Sequence, residues 1–213
     1  MERQQLETIM DELSNERKIF HSEADFQHSL SSKINELSDE YRVRLEVPRQ
    51  LDMEKPGKLS YIDIVLINQS GQEIPIELKY RTRKFEHIDT QFYDEQFKLK
   101  NHGATDLGNY HGLKDISRIE DLFINQDNVL KGFTIFLTNE PKYWLNKENG
   151  SNDDEFKLYQ GKTFPQGKFD WLNETKSNKK FPPLEIYWEH HMDWKTFSQL
   201  GNHQFKYLLT EIK

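Results

Sequence analysis

Three charged residues sit inside two short apolar runs. Asp63 interrupts Tyr61-Ile62-Asp63-Ile64-Val65-Leu66-Ile67, while Glu77 and Lys79 interrupt Glu73-Ile74-Pro75-Ile76-Glu77-Leu78-Lys79-Tyr80. Between the runs lies Asn68-Gln69-Ser70-Gly71-Gln72, which is turn chemistry, so the segment reads as a β-hairpin. With Asp63 opposite Glu77, Ile62 meets Leu78, Ile64 meets Ile76 and Leu66 meets Ile74. A slip of one residue would break that match. The other face then carries Asp63, Glu77 and Lys79 together, beside Val65, Ile67 and Pro75.

Opposed residues on antiparallel strands hold their Cβ atoms about 5 Å apart. Two bare carboxylates there repel by about 3 kcal/mol at an effective dielectric near 20. A cation, a shared proton or a basic side chain relieves the clash. Mg²⁺ or Mn²⁺ suits carboxylate and carbonyl oxygens. Lys79, two residues after Glu77, points to the same face, where it can orient a metal-bound water and offset developing charge. That equipment is the one for metal-assisted phosphodiester hydrolysis. The competing reading is a satisfied ionic cluster in which Lys79 simply pairs with the two acids.

The pattern Ile-Asp-Ile-Val-Leu, turn, Ile-Glu-Leu-Lys resembles the core of the PD-(D/E)xK nuclease superfamily, the restriction-endonuclease-like fold. Asp63, Glu77 and Lys79 match the motif; Ile62 stands where its proline is common. The resemblance implies an α/β fold with a mixed central sheet flanked by helices, and a Mg²⁺- or Mn²⁺-dependent nuclease acting on nucleic acid, DNA ahead of RNA, in defence or repair. It implies Asp63, Glu77 and the Leu78 carbonyl as metal ligands. Residues 100–110 and 114–120, with Thr138-Asn139 and Tyr143-Trp144, are similar to bacterial members of the same superfamily. Many members act as dimers, so a homodimer is admitted. The alternative is an inactive nuclease-like module that binds DNA or a protein partner.

An upstream acid completes the candidate set. Ser22 is placed to cap a helix over 22–37, with Asp25 three residues on. Phe26, Leu30, Ile34 and Leu37 form its apolar stripe. Glu23 shares that stripe and can reach the hairpin; otherwise it is a first-turn acid favoured by the helix dipole. The resemblance favours a site role for Glu23, through a metal-bound water.

The remaining elements must position this hairpin. The residues predict a helix over 2–18, a first strand over Arg42–Val47, a helix beginning within 86–100, a glycine-bearing loop from Asn101 to Gly112 and a helix over Leu113–Leu122. A buried strand is expected at Gly132–Asn139, with late strands at Leu184–Trp188 and Gln204–Leu209. Asn146–Glu155 and Asn173–Lys180 read as polar loops. Glu189-His190-His191 lacks a third ligand for zinc and reads as a polar strand end.

The chain has 213 residues, on the usual prior one domain over 1–213, and no cysteine, which excludes disulfides and thiolate chemistry. No apolar run is long enough for a membrane span, and Met1-Glu2-Arg3-Gln4-Gln5 has no hydrophobic signal character, so a cytoplasmic location is expected. The net charge of −7 is uneven. Residues 1–39 carry four basic and nine acidic side chains, whereas residues 40–100 carry eleven of each. Arg42, Arg44, Arg49, Lys55, Lys58, Arg81, Arg83 and Lys84 gather around the hairpin. Arg81 and Arg83, which continue its second strand, and Arg118 on the following helix are candidate nucleic-acid contacts. Asp115 and Arg118 either brace the site or form a local surface pair.

Overall fold

A computed structural model describes residues 1–50, 59–90, 93–145, 150–176 and 178–213. Lys55, Lys58, Phe92 and residues 146–149 and 177 of the expected loops lie outside the described residues. Helices α1 (Arg3–Glu16) and α2 (Glu23–Leu37) precede strands β1 (Tyr41–Arg49), β2 (Ser60–Asn68) and β3 (Glu73–Arg81). A small hairpin, β4 (Phe85–Asp89) and β5 (Glu95–Leu99), leads to α3 (Thr105–Asn125) and β6 (Gly132–Thr138). Short strands β7 (Thr163–Phe164), β8 (Gly167–Phe169), β9 (Leu184–Ile186) and β10 (His190–His191) come before β11 (Trp194–Leu200) and β12 (His203–Ile212).

The central sheet has six strands in the order β1-β2-β3-β6-β12-β11. Only β3 and β6 run parallel; the other neighbours are antiparallel. The parallel pair is joined through α3, as a crossover requires. Among the described residues the architecture is thus mixed α/β, with a six-stranded mixed sheet and three α-helices. One sheet face packs Ile64, Leu66, Ile76, Leu78 and Ile135 against Leu6 and Met10 of α1 and Phe26, Leu30 and Ile34 of α2. The other packs Val65, Phe136 and Leu208 against Leu113, Ile116 and Ile119 of α3, with Phe156, Leu158 and Met192 completing the layer.

Ser22 caps α2 as its sequence predicts, its Oγ accepting from Asp25 N at 3.1 Å. The β2–β3 turn also follows the sequence: Asn68 Oδ1 accepts from the backbone of Ser70 and Gln72, and Gly71 takes φ +80°, a left-handed value natural to glycine.

Three expectations need correction. Residues 86–100 form the β4–β5 hairpin rather than the start of a helix: Phe97 and Leu99 are buried at strand spacing. The loop expected to Gly112 ends at Ala104, because α3 begins at Thr105. Gly108 and Gly112 lie inside this helix for close approach. A Cβ on Gly108 would meet the Tyr143 hydroxyl at 1.9 Å, and one on Gly112 would meet Leu158 Cδ1 at 2.6 Å. The late strand expected to Trp188 stops at Ile186, where Tyr187 N and Trp188 N turn to the Glu120 carboxylate at 2.9 and 3.1 Å.

Candidate functional site

The hairpin register is the one its apolar residues predict: Ile64 pairs with Ile76 and Leu66 with Ile74. Regular pairing ends there. Ile62 packs in the α3-side layer while Leu78 packs in the α1/α2 layer, so the expected Ile62–Leu78 contact is not made. The cause is local. Asp63 Oδ2 accepts from Leu78 N at 2.6 Å, taking a donor that a regular β2 would have met with a carbonyl. One step further along β3, Tyr80 N donates to Glu23 Oε2 at 2.7 Å. Two carboxylates from different elements therefore satisfy the two β3 donors that β2 leaves behind.

The Asp63 carbonyl is in turn held from α2, where Gln27 Nε2 donates to it at 2.7 Å and to Glu46 Oε1 at 2.8 Å. Glu46 takes φ +50°, and the β1–β2 register skips the Glu46–Asp63 pair. Both strands thus deform at the same level. Glu23 and Gln27 are four residues apart on one helix face, a spacing that could have marked Gln27 from sequence.

Glu77 and Lys79 project from β3 to the side of α3. Lys79 Nζ lies 3.2 Å from Asp115 Oδ2, and Arg118 Nη2 lies 3.0 Å from Glu77 Oε1. The same Arg118 nitrogen donates to Tyr61 O at 2.8 Å, and Nη1 stands 3.8 Å from Asp115 Oδ1. Arg118 is therefore a brace between β2, β3 and α3 and is not aligned with Arg81 and Arg83. Those two line a neighbouring cavity, and Arg83 N is anchored to Asn139 Oδ1 at 2.8 Å.

The site thus gathers four acids, Glu23, Asp63, Glu77 and Asp115, around two cations, Lys79 and Arg118. Glu77 is 2% exposed. Burial, then the charge of Asp115, raises its carboxyl well above the ordinary range, although Arg118 opposes this. Asp63 is pushed up to about 6, chiefly by burial, against the pull of the Leu78 N–H. The two carboxyls influence each other, and the interaction lowers Asp63 and raises Glu77, which makes Glu77 the better proton holder. Burial alone would lower Lys79, but Asp115 and Glu23 outweigh it and its pKa is raised. Its ammonium stays charged at neutral pH.

The donor chemistry fits a hard divalent cation. Burial raises both the Asp63 and the Glu77 carboxyl toward the neutral form, and a hard cation would supply the positive charge that favours their ionised oxygens. Glu77 Oε1 is buried without a hydrogen bond; Arg118 approaches within ion-pair distance but off the hydrogen-bonding direction. An extended residue sends its N–H and C=O to the same side, so the Leu78 carbonyl faces the gap beside Asp63. Among the described residues, no three carboxylate or histidine side chains form a ready cage. The donors available are two side chains and one carbonyl.

His111 was not marked as a candidate, because its segment reads as loop; it lies four residues before Asp115 on α3. It lines the same cavity as Glu23 and Lys79, and burial, followed by the Lys79 charge, lowers its pKa, which keeps the ring neutral at pH 7. His21 also lines this cavity, with its ring 2.9 Å from Glu95 Oε1 and stacked on Phe97. Among the described residues no helix is long and apolar enough to cross a membrane. Comparison with family models, with curated proteins and with solved structures finds no match to the chain.

Proposed function

We propose that this chain is a Mg²⁺- or Mn²⁺-dependent nuclease of restriction-endonuclease-like fold that hydrolyses phosphodiester bonds of nucleic acid, DNA ahead of RNA. The observation that carries the reading is the meeting of Asp63, Glu77, Lys79 and Glu23 where β2 parts from β3. Asp63, Glu77 and the Leu78 carbonyl would hold the cation. Bound there, it supplies Lewis acidity to the phosphodiester and a lowered pKa to a water.

The chain's own residues do the rest. Lys79, held by Asp115 at 3.2 Å, stays protonated, so it donates hydrogen bonds to the attacking water or to a phosphate oxygen and offsets developing negative charge. It does not serve as the base. Glu23 spends Oε2 on Tyr80 N, and its second oxygen is the one that can hold a water. Arg118 and Asp115 keep Glu77 and Lys79 in place, a positioning role.

Incubation with single-stranded and duplex DNA and RNA, with Mg²⁺ or Mn²⁺, tests the reading against Lys79→Ala and Asp63→Ala. Cleavage lost in both variants supports it; cleavage surviving in both overturns the site. A second reading, a nuclease-like module that binds DNA or a protein partner without cutting, has one observation in its favour. Arg118 and Lys79 already pair with Glu77 and Asp115, which closes an ion-pair network with no metal required. Calorimetric titration with Mn²⁺ weighs on this point: heat that Asp63→Ala abolishes favours a working metal site.

A further inference from the structure

Two cavities adjoin at the catalytic cluster. One, of roughly 430 Å³, is lined by Glu23 and Lys79 and continues to Lys98 and Lys100 at the end of β5. The other, of roughly 590 Å³, is lined by Arg83, Lys84 and Lys142 beside the first residues of α3. Arg81, Thr82 and His102 line both, so the two form one continuous groove.

The groove's charge contradicts the charge of the chain. The protein carries −7, yet beyond Lys79 six cations line the groove against two carboxylates, Glu23 and Glu140. The cations come from three separate segments: the end of β3, the end of β5 and the turn at Pro141–Tyr143. Only the fold collects them. Glu86 answers part of this charge, 3.5 Å from Lys84 and across the ladder from Lys98. Arg81 Nε is buried without a hydrogen-bond partner. His102 Nδ1 accepts from Thr82 N at 2.9 Å, which leaves the ring proton on Nε2 as a donor. Ala104 caps α3 without a side-chain acceptor, so the first N–H groups of the helix add to the positive end.

A lone phosphate needs two or three of these donors. Six cations spread along two joined cavities suit a row of phosphates instead. We propose that a phosphodiester strand lies in this groove, with the phosphate at the cluster beside Lys79 and its neighbours running past Lys100 and His102 to Arg83, Lys84 and Lys142. The proposal deepens the nuclease reading and rests on it for the place of the cut, but not for binding. It moves the strand away from Arg118, which the fold uses as a brace, and onto lysines that no motif marks.

The test measures binding in EDTA, so cleavage plays no part. Fluorescence anisotropy of labelled single-stranded and duplex DNA is followed against salt for the wild type, for Lys84→Ala/Lys100→Ala/Lys142→Ala, and for Lys168→Ala/Lys179→Ala/Lys213→Ala, which removes exposed charge elsewhere. Each lost phosphate contact lowers the salt slope by about one, so the groove variant should bind about tenfold or more weakly with a slope shallower by about two to three. The remote variant should match wild type. Unchanged affinity and slope in the groove variant, an equal loss in the remote one, or no wild-type binding of either DNA at about 50 mM salt each overturns the proposal. Groove-dependent binding without cleavage leaves the strand path standing and removes the nuclease reading. Cleavage that ignores the groove variant does the reverse.

Discussion

Two buried glutamates, Glu77 on β3 and Glu120 on α3, answer the same physical problem in opposite ways. Glu120 is 0% exposed and fully engaged: Tyr187 N, Trp188 N and His190 Nε2 lie within 3.1 Å of its oxygens. Glu77 is almost as deeply buried, yet Oε1 has no hydrogen bond, and its nearest acids, Asp63 and Asp115, make ionisation harder. A buried carboxylate is ordinarily matched by donors, because an unmatched one is expensive. Glu120 obeys that rule and ties the segment after β9 to α3. Glu77 departs from it: Arg118 stands 3.0 Å from Oε1 but off the hydrogen-bonding direction, and the neighbouring acids oppose its charge. A buried acid with one ion pair and no hydrogen bond at Oε1, set among like charges, is the kind of group that marks a candidate functional site.

Activity separates the two most strongly. Glu77→Gln should lower Mg²⁺-dependent cleavage by about 10³-fold, equivalent to about 4 kcal/mol, while unfolding in EDTA shifts by no more than about 1 kcal/mol, since burial already holds the Glu77 carboxyl toward its neutral form and the amide oxygen can keep the contact with Arg118. Cleavage assays beside denaturant titrations check both halves, and a large stability loss would place Glu77 in the same class as Glu120. Glu120→Ala should do the opposite. It leaves two backbone N–H groups and a buried imidazole unpaired, at about 3 kcal/mol, or a fall in Tm of about 6–12 °C for a chain this size. Calorimetry checks this, and a Tm within a degree or two of wild type would break the contrast.

Protonation gives the next test. Asp63 has a folded pKa of about 6 against an ordinary value of 3.8. The folded state therefore binds this proton more tightly than the unfolded chain. The group's contribution is full below pH 3.8 and is lost as pH rises through about 6. Glu77, also raised, extends the fall upward. In EDTA the wild type should lose about 2–3 kcal/mol relative to Asp63→Asn between pH 4 and pH 7. Mg²⁺ at pH 7 should return part of it by binding the ionised pair. Paired denaturation curves measure the difference, and a wild type that gains stability relative to Asp63→Asn as pH rises has the wrong sign.

How much of this was legible in the sequence depended on whether an apolar pattern reported on the residue in question. The hairpin register was legible because Ile64 and Leu66 have matching partners in Ile76 and Ile74. The parting of the strands at Asp63 was not, because it depends on a side chain intercepting Leu78 N, which no periodicity records. The start of α3 was hidden by Gly108 and Gly112, whose composition reads as loop but whose role is contact with Tyr143 and Leu158. β11 was missed where a register shift between Thr196 and Ser198 breaks its alternation. Asp115 is left open by the sequence, as a brace for the site or as half of a local pair with Arg118. Its partner across space, Lys79, is invisible until the helix is laid on the sheet.

Glu23 stands between the two kinds of acid and gives the smallest effect. Like Glu120, it accepts from a backbone N–H, that of Tyr80 at 2.7 Å; like Glu77, it belongs to the charged cluster, where its charge raises both Asp63 and Lys79. Glu23→Gln separates these roles, because the amide oxygen can still accept from Tyr80 N while the charge is gone. If the hydrogen bond were the whole function, stability and cleavage would both stay at wild-type levels. The proximity to Lys79 argues otherwise: without that charge the ammonium is held less firmly and a water near the second oxygen loses its acceptor. The expected outcome is stability within about 0.5 kcal/mol of wild type, with cleavage down about tenfold, or about 1.4 kcal/mol at the transition state. Glu23→Ala should add the loss of the Tyr80 hydrogen bond, about 1 kcal/mol of unfolding free energy. Denaturation and cleavage measured on the same two variants therefore assign the charge and the hydrogen bond separately, and equal cleavage by Glu23→Gln and wild type would return Glu23 to the class of Glu120.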